Sequence, residues 1–286
     1  MIDDERLIRI CDPDDPRIAA FRDIRERDLV GRRGFIAEGT VVVDQLLRAE
    51  RFRAVGLLLL ENRLGGLSGL LAKVPRETPV YVADRATYNA VAGFPVHRGV
   101  MAAGEATEYA GSTAGRLHAI AEDGGTVLVA VGIANHDNIG ALFRNAAAFG
   151  VGMVLVDETS CDPLYRKALR VSVGSVLAVP YARVASGEEA VRRLEEAGFR
   201  CLALSPGASD GAAALDRGGA TALFLGAEGP GLPAALLGRM ASVAIAMAPG
   251  FDSLNVATAA AIALHRLFEA NRASSRVPPS PSAGGL

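Results

Sequence analysis

The residues whose types and spacing bear on chemistry fall in three short segments between residues 138 and 256 of this 286-residue chain. They are Asn138-Ile139-Gly140-Ala141-Leu142-Phe143-Arg144, Leu225-Gly226-Ala227-Glu228-Gly229-Pro230-Gly231 and Ser253-Leu254-Asn255-Val256. Each sets polar side chains, glycines or both where a strand should meet a helix. In the first, Ile139, Leu142, Phe143 and Ala146 recur at helical spacing and share one face, whereas Arg144 stands roughly 140° from Ile139 and projects away from it. Arg144 can thus project towards a ligand, although in this segment taken alone it reads more readily as a solvated side chain, and Asn138 at the helix start reads as an N-cap.

The second segment follows the apolar run Thr221 to Leu225 and precedes a helical-looking stretch, Pro233 to Met240. Its glycines permit positive φ or close approach of the backbone to a ligand, and an ordinary Gly-rich surface turn meets the same pattern. The spacing Gly226, Gly229, Gly231 is not the dinucleotide fingerprint, the Lys of a P-loop is missing, and Glu228 would repel a phosphate. A nucleoside triphosphate is therefore not the expected ligand. In the third segment Ser253 reads as the cap of a long helix, Leu254 to Leu267, whose small and apolar residues leave no broad polar face. Such a helix must be buried on both sides, by its own domain or by a second subunit.

The elements that must position these segments alternate along the chain. After a charged leader to about residue 20 and an Arg- and Asp-rich stretch to Glu38, Val41 to Leu47 reads as helix. Ala54 to Leu60, Pro79 to Ala83 and Gly99 to Ala103 read as strands, with helical pieces around Leu67 to Leu71 and Tyr88 to Ala92. A helical piece, Leu117 to Glu122, leads into strands at Thr126 to Val131, Met153 to Asp157, Leu177 to Tyr181, Cys201 to Leu204, Thr221 to Leu225 and Val243 to Met247. Strands separated by helical patterns imply an α/β fold with a mostly parallel sheet. The Pro- and Ser-rich tail lacks hydrophobic periodicity and is expected to be disordered.

Composition narrows the function classes. A formal net charge of −2 argues against an overall electrostatic grip on nucleic acid, so any RNA contact must come from local clusters of positive charge. Of 30 basic residues only Lys73 and Lys167 are Lys, and Arg offers a planar fork to phosphate. Cys11, Cys161 and Cys201 are odd in number and show no paired spacing, which fits a reducing cytosol rather than a disulfide framework or a zinc site. His97, His118 and His265 read as structural, and His136 alone neighbours a motif. No His, Cys and Asp cluster has metal spacing and no Gly-x-Ser-x-Gly elbow is present, so no metal is expected, nor serine-type acyl transfer. The acidic N-terminus is no signal peptide and no apolar run approaches membrane-spanning length, so a soluble cytoplasmic protein without a membrane partner is expected.

Together and in this order, the three segments resemble the motifs of the TrmH (SpoU) family of RNA 2'-O-ribose methyltransferases. The resemblance extends over about residues 20 to 270. The stretch Pro163 to Pro180, with Lys167, Arg170, Ser172 and Gly174, looks like the family's segment between motifs one and two. Phe35-Ile36-Ala37-Glu38-Gly39, Gly93-Phe94 and His97-Arg98-Gly99-Val100 resemble its ribosomal-protein-L30e-like substrate-binding domain. The implied layout is a leader (1–20), an L30e-like domain (21–105), a linker (106–122), a methyltransferase domain (123–272) and a tail (273–286). The implied fold threads the C-terminal part of a parallel sheet into a trefoil knot.

By the same resemblance, S-adenosylmethionine would be held near Gly226, Ile245, Met247 and Leu254. Arg144 would be the catalytic arginine, Asn138 and Glu228 would shape the site, and Ser253 and Asn255 would position Arg144 and the RNA. The partners implied are ribosomal RNA or transfer RNA, with ribosomal RNA favoured, and a second copy of the chain. The family proposal that Arg144 acts as a base meets the difficulty that a guanidinium of pKa above about 12 resists deprotonation; electrostatic support of the developing alkoxide meets the same need.

Two departures bear on substrate choice. Asn135-His136-Asp137 stands where the family usually has Asp-Pro before the motif-one Asn, and Ala257-Thr258 follows motif three where Ser-Val is common. The alternative function is a catalytically inactive RNA-binding or ribosome-assembly factor of the same fold. Retention of Asn138, Arg144, Glu228, Ser253 and Asn255 argues against it. A third reading is a nucleotide-dependent oxidoreductase on a Rossmann-like sheet.

Overall fold

The structure, a computed structural model, describes residues 6–22, 34–93, 98–107, 112–208, 212–250 and 252–275. In chain order the N-terminal elements are β1 (Leu7–Ile10), β2 (Gly34–Glu38), α1 (Thr40–Arg48), β3 (Phe52–Leu60), α2 (Ser68–Leu71), β4 (Val80–Ala83), α3 (Arg85–Ala92) and β5 (Val100–Ala106). Then come α4 (Thr113–Glu122), β6 (Thr126–Ala130), α5 (His136–Ala148), β7 (Met153–Asp157), α6 (Arg166–Val171), α7 (Ser175–Ala178), β8 (Tyr181–Val184) and α8 (Gly187–Glu196). The chain continues through β9 (Arg200–Leu204), β10 (Thr221–Leu225), α9 (Ala234–Leu237), β11 (Ala241–Val243) and α10 (Val256–Ser275).

Two compact units emerge. The first gathers the described residues of Met1–Ala110, Asn135–Arg144 and Cys161–Ala178, and the second those of Gly111–Ala134, Asn145–Ser160 and Val179–Leu286. The first unit is built on a five-stranded mixed sheet in the order β1-β4-β3-β5-β2. Here the structure corrects the sequence reading of a leader. β1 pairs in parallel with β4, Leu7 opposite Val80 and Ile10 opposite Ala83, and Ile10, Ile18 and Phe21 are buried in a cluster with Leu58, Tyr81 and Met101. The acidic residues around them had masked three apolar anchors. β2 was also not foreseen, because its five residues pair antiparallel with β5 and owe their conformation to that partner.

The first unit also takes in α6, α7 and the start of α5, which the expected domain layout had assigned elsewhere. Arg166 on α6 approaches the buried Glu38 of β2 at 3.7 Å. Gly174, at φ 83°, lies against α1, where a Cβ would meet Gln45 at 2.9 Å. Gly140 lets α5 and α6 touch, since a Cβ there would lie 2.7 Å from the Ala168 carbonyl oxygen.

The second unit carries a six-stranded sheet in the order β11-β9-β10-β6-β7-β8, with every pairing parallel. A parallel sheet is covered on both faces, so its central strands carry continuous apolar runs instead of an alternation. Thr126–Ala130, Met153–Asp157 and Thr221–Leu225 are buried along their whole length. One face packs Val129, Leu155, Ala203 and Phe224 against Val191, Leu194 and Leu236. Cys201, buried beside this face, has its thiol pushed up to about 12 by desolvation.

Two expected strands move. The apolar run from Leu177 is the end of α7, and the strand begins only after Pro180, at Tyr181. A short apolar run does not by itself distinguish helix from strand. At the other edge, β11 ends at Val243 instead of extending to Met247, because its partner β9 ends at Leu204 and Pro206 follows two residues later. Residues 1–5, 23–33, 94–97 with His97, part of the expected linker and residues 276–286 of the expected tail lie outside the described residues, whereas residues 273–275, assigned to that tail, close α10. No described helix is long and apolar enough to cross a membrane.

Candidate active site

The motif-two segment follows β10 and folds back on itself. Gly231 donates its backbone N–H to the Ala227 carbonyl at 3.0 Å, closing the turn. Gly226 makes this possible, since a Cβ there would lie 2.3 Å from Gly231 C and Leu232 N. Gly229 and Gly231 adopt φ of 86° and 70°, where a side chain would be strained.

This turn, the ends of β9 and β10, the loop after β11 and the start of α10 enclose a cavity of 490 Å³. Its lining includes Gly226, Ile245, Met247 and Leu254, the four residues expected to hold a cofactor, and also Glu228, Ser253 and Asn255. Leu204, Leu225 and Ala259 add apolar wall. The strand shortening at β11 has a consequence here, because residues 244–247 leave the sheet and Ile245 and Met247 line the cavity.

Asn255 organises the polar end. Its Nδ2 donates to Glu228 Oε1 at 2.9 Å, and its Oδ1 accepts from the N–H groups of Ala257 at 2.9 Å and Thr258 at 3.3 Å. Asn255 is thus the N-cap of α10. Ser253, expected in that role, is exposed and lies two residues before Asn255, outside the helix. One turn further along the motif-one helix, Asn145 Nδ2 donates to the Ala257 carbonyl at 2.7 Å and ties α5 to the first turn of α10. Asn145 was missed by sequence reasoning, and an amide side chain beside Arg144 in the otherwise apolar stretch Ile139 to Ala148 was the available signal.

Arg144 and Asn138 belong to the first unit and are not among the cavity's lining residues. Arg144 is exposed, as its helical angle implied, while Ile139, Leu142 and Phe143 are fully buried. Asn138 is 5% exposed and sits inside the first turn of α5. The capping role falls instead to Asn135, whose Oδ1 accepts from the Asp137 N–H at 2.8 Å and whose carbonyl accepts from Ile139. The unusual Asn135-His136-Asp137 sequence makes contacts of its own: His136 stacks on Tyr165 with ring centroids 4.0 Å apart, and Asp137 pairs with Lys167 at 2.8 Å.

Within the second unit a carboxylate fixes the loop that leads to motif one. Asp157 Oδ1 accepts from Gly132 N–H at 3.0 Å, Ser160 N–H at 2.9 Å and Ser160 Oγ at 2.6 Å, and its Oδ2 accepts from Thr159 Oγ1 at 2.5 Å. Ser160 Oγ in turn accepts from Ile133 N–H at 2.8 Å. Among the described residues no group of three or more His, Cys, Asp or Glu side chains is arranged to hold a metal ion.

The parallel sheet, the cavity beside the motif-two turn and the Asn255 to Glu228 contact define an α/β protein with a candidate ligand site at the carboxyl ends of its strands. The family profile described as SpoU rRNA Methylase matches residues 125–265. An uncharacterized tRNA/rRNA methyltransferase of Mycobacterium tuberculosis is 42% identical over 273 residues, covering 90% of each chain. The 23S rRNA (guanosine-2'-O-)-methyltransferase RlmB of Ralstonia nicotianae is 31% identical over 197 residues, 68% of this chain and 78% of that one. In fold, the chain superposes on an AdoMet-bound rRNA methyltransferase of Sinorhizobium meliloti with a TM-score of 0.76 at 24% identity, covering 94% of this chain and 98% of that one. The chain belongs to the SpoU rRNA methylase family and is an RNA methyltransferase.

Proposed function

We propose that the chain methylates the 2'-hydroxyl of ribose in ribosomal RNA, with S-adenosylmethionine as the methyl donor. The observation that carries this reading is the convergence of Gly226, Ile245, Met247, Leu254, Glu228, Ser253 and Asn255 on one cavity. Its apolar walls suit the nucleoside body of the donor, and the backbone of the motif-two turn supplies polar groups that no side chain obstructs. When bound, the donor supplies an electrophilic methyl on a positively charged sulfur. The Glu228 carboxylate, which would repel a phosphate, attracts that charge.

The residues of this chain then have separable tasks. Asn255 holds Glu228 in place while capping α10. Arg144 would orient the ribose and stabilise negative charge as the hydroxyl loses its proton, a role that needs no deprotonated guanidinium. Asn138, buried in the first turn of α5, and Ser253 would support these positions. A homodimer and a C-terminal trefoil knot are part of the same reading.

The test is incubation of the full chain with ribosomal RNA and methyl-labelled S-adenosylmethionine, followed by digestion and identification of the labelled nucleoside. Label in a 2'-O-methylated nucleoside, lost in Arg144→Ala, is the expected result. Methyl transfer to a base, or tight donor binding without transfer to any RNA, would refute the reading; the latter would favour an RNA-binding or ribosome-assembly role.

A further inference from the structure

A second cavity, of 350 Å³, lies at the carboxyl ends of β6 and β7. It shares Ala227 and Gly231 with the cofactor cavity, so the residues that close the motif-two turn form a wall common to both. The sheet order gives this position meaning. β6 and β10 are neighbours, but the chain leaves β6 towards β7 on one side and leaves β10 towards β11 at the opposite edge. The crevice between them is the switch point at which open parallel sheets take ligands.

The lining is apolar on its flanks, with Val131, Pro230, Pro233 and Leu236, and carries two carboxylates, Asp157 and Glu188. The Asp157 oxygens are already engaged by Gly132, Thr159 and Ser160. Glu188 is different, being exposed in the first turn of α8. A hydrogen bond from Ser186, which also lines the cavity, is the main cause that holds its carboxyl below the usual carboxylate range. Glu188 therefore presents an oriented, ionised acceptor at the rim of an apolar slot.

No Lys or Arg is among the lining residues, Arg239 acting on Glu188 from outside the slot and Arg183 being held by the carbonyls of Asp157 and Ser160. The carboxylate at the rim favours a ligand with N–H donors, and apolar flanks suit the faces of a planar ring. Among the RNA bases, guanine alone offers two adjacent N–H donors on one edge, N1–H and the N2 amino group, which a carboxylate accepts as a pair. Adenine and cytosine set an acceptor beside their amino group, and uracil flanks its single N–H with two carbonyls. We infer that this second cavity receives the base of the nucleotide being methylated, and that Glu188 selects guanine. The inference rests on the ribose-methylation reading, which places the sugar at the cofactor cavity on the other side of the shared turn.

Two experiments on the full chain separate this inference from that reading. In the first, guanosine, inosine and adenosine 5'-monophosphates are titrated at millimolar concentration against protein saturated with S-adenosylhomocysteine, with binding followed by NMR. Saturable binding of the guanosine nucleotide is expected, weaker by at least about fivefold for inosine, which lacks the amino group, and weakest for adenosine. Glu188→Gln should abolish this order, whereas Glu196→Gln, at the far end of the same helix, should preserve it. Equal binding of the three nucleotides, no binding, or an unchanged order in Glu188→Gln would overturn the inference. In the second, the nucleoside labelled on ribosomal RNA is identified. 2'-O-methylguanosine supports the inference and any other 2'-O-methylnucleoside overturns it. Failure to label RNA would count against the ribose-methylation reading, leaving the guanine subsite to be judged by the nucleotide titration.

Discussion

Asn255 and Glu228, 27 residues apart in the chain, are joined by a 2.9 Å hydrogen bond that links the motif-two turn to the N-terminus of α10. The same amide caps the helix through its other atom, so one side chain serves stability and site geometry together. The two roles separate by substitution. Asn255→Ala removes both and should cost about 0.5 to 2 kcal/mol in chemical denaturation, with loss of methyl transfer. Asn255→Asp keeps an oxygen for the cap but sets a carboxylate against Glu228. It should retain most of the stability and still lose activity, and an Asp variant as active as wild type would show the contact to be dispensable.

The motif-two glycines should respond differently to a single methyl group. Gly226→Ala drives a Cβ into backbone atoms 2.3 Å away, which do not yield as a flexible side chain would. Loss of S-adenosylmethionine binding is expected, with destabilisation of about 1 to 3 kcal/mol. Gly229→Ala meets nothing within 4 Å and bears only the strain of its positive φ, about 1 to 2 kcal/mol. Calorimetric titration with the donor should therefore rank Gly226→Ala well below Gly229→Ala.

Arg144 is exposed on a helix whose opposite face is buried, so it can be replaced without opening a core. Arg144→Ala should change folding stability by no more than about 0.5 kcal/mol and leave donor affinity intact, while abolishing methyl transfer. Arg144→Lys keeps the charge but loses the planar fork, and should be nearly as inactive if geometry carries the reaction. Substantial turnover by Arg144→Ala on RNA that the wild type methylates would remove Arg144 from the mechanism.

S-adenosylmethionine and S-adenosylhomocysteine should raise the melting temperature by mass action. At a hundredfold excess over Kd the gain is about 2.7 kcal/mol. NAD and ATP should give no shift, and equal stabilisation by NAD would point to a dinucleotide site instead.

Helix α10 leaves Ile262 39% exposed on an otherwise apolar stretch. If that face packs on a second copy, the protein should sediment near twice 29.7 kDa. Ala261→Glu should then dissociate it, because a desolvated carboxylate in an apolar contact is costly. A wild-type monomer at micromolar concentration would exclude the interface.

Much of this protein is written locally in its sequence. Buried parallel strands need unbroken apolar runs, so Thr126 to Val131 and Thr221 to Leu225 read as strands from the sequence alone, the first ending one residue earlier in the structure, at Ala130. The exposure of Arg144 followed from helical angle alone. The glycine pattern at 226, 229 and 231 marked a turn requiring close backbone approach and positive φ.

Tertiary structure decided what depends on a distant partner. Leu7–Ile10 is a strand because β4 offers it an edge, and β11 stops at Val243 because β9 gives it nothing further to pair with. Asn255 and Asn135, not Ser253 and Asn138, cap their helices, since an N-cap is set by where the backbone leaves the helix and several nearby polar residues match equally well in sequence. Asp157 had no motif to announce it, because its donors come from the loop after β6 and the loop after β7, and only the sheet brings them to one carboxylate. The gathering of motif-two and motif-three residues around a single cavity arises for the same reason: local periodicity determines which face of an element is buried, while side-by-side strand order and the turns between strands determine which buried and exposed groups meet.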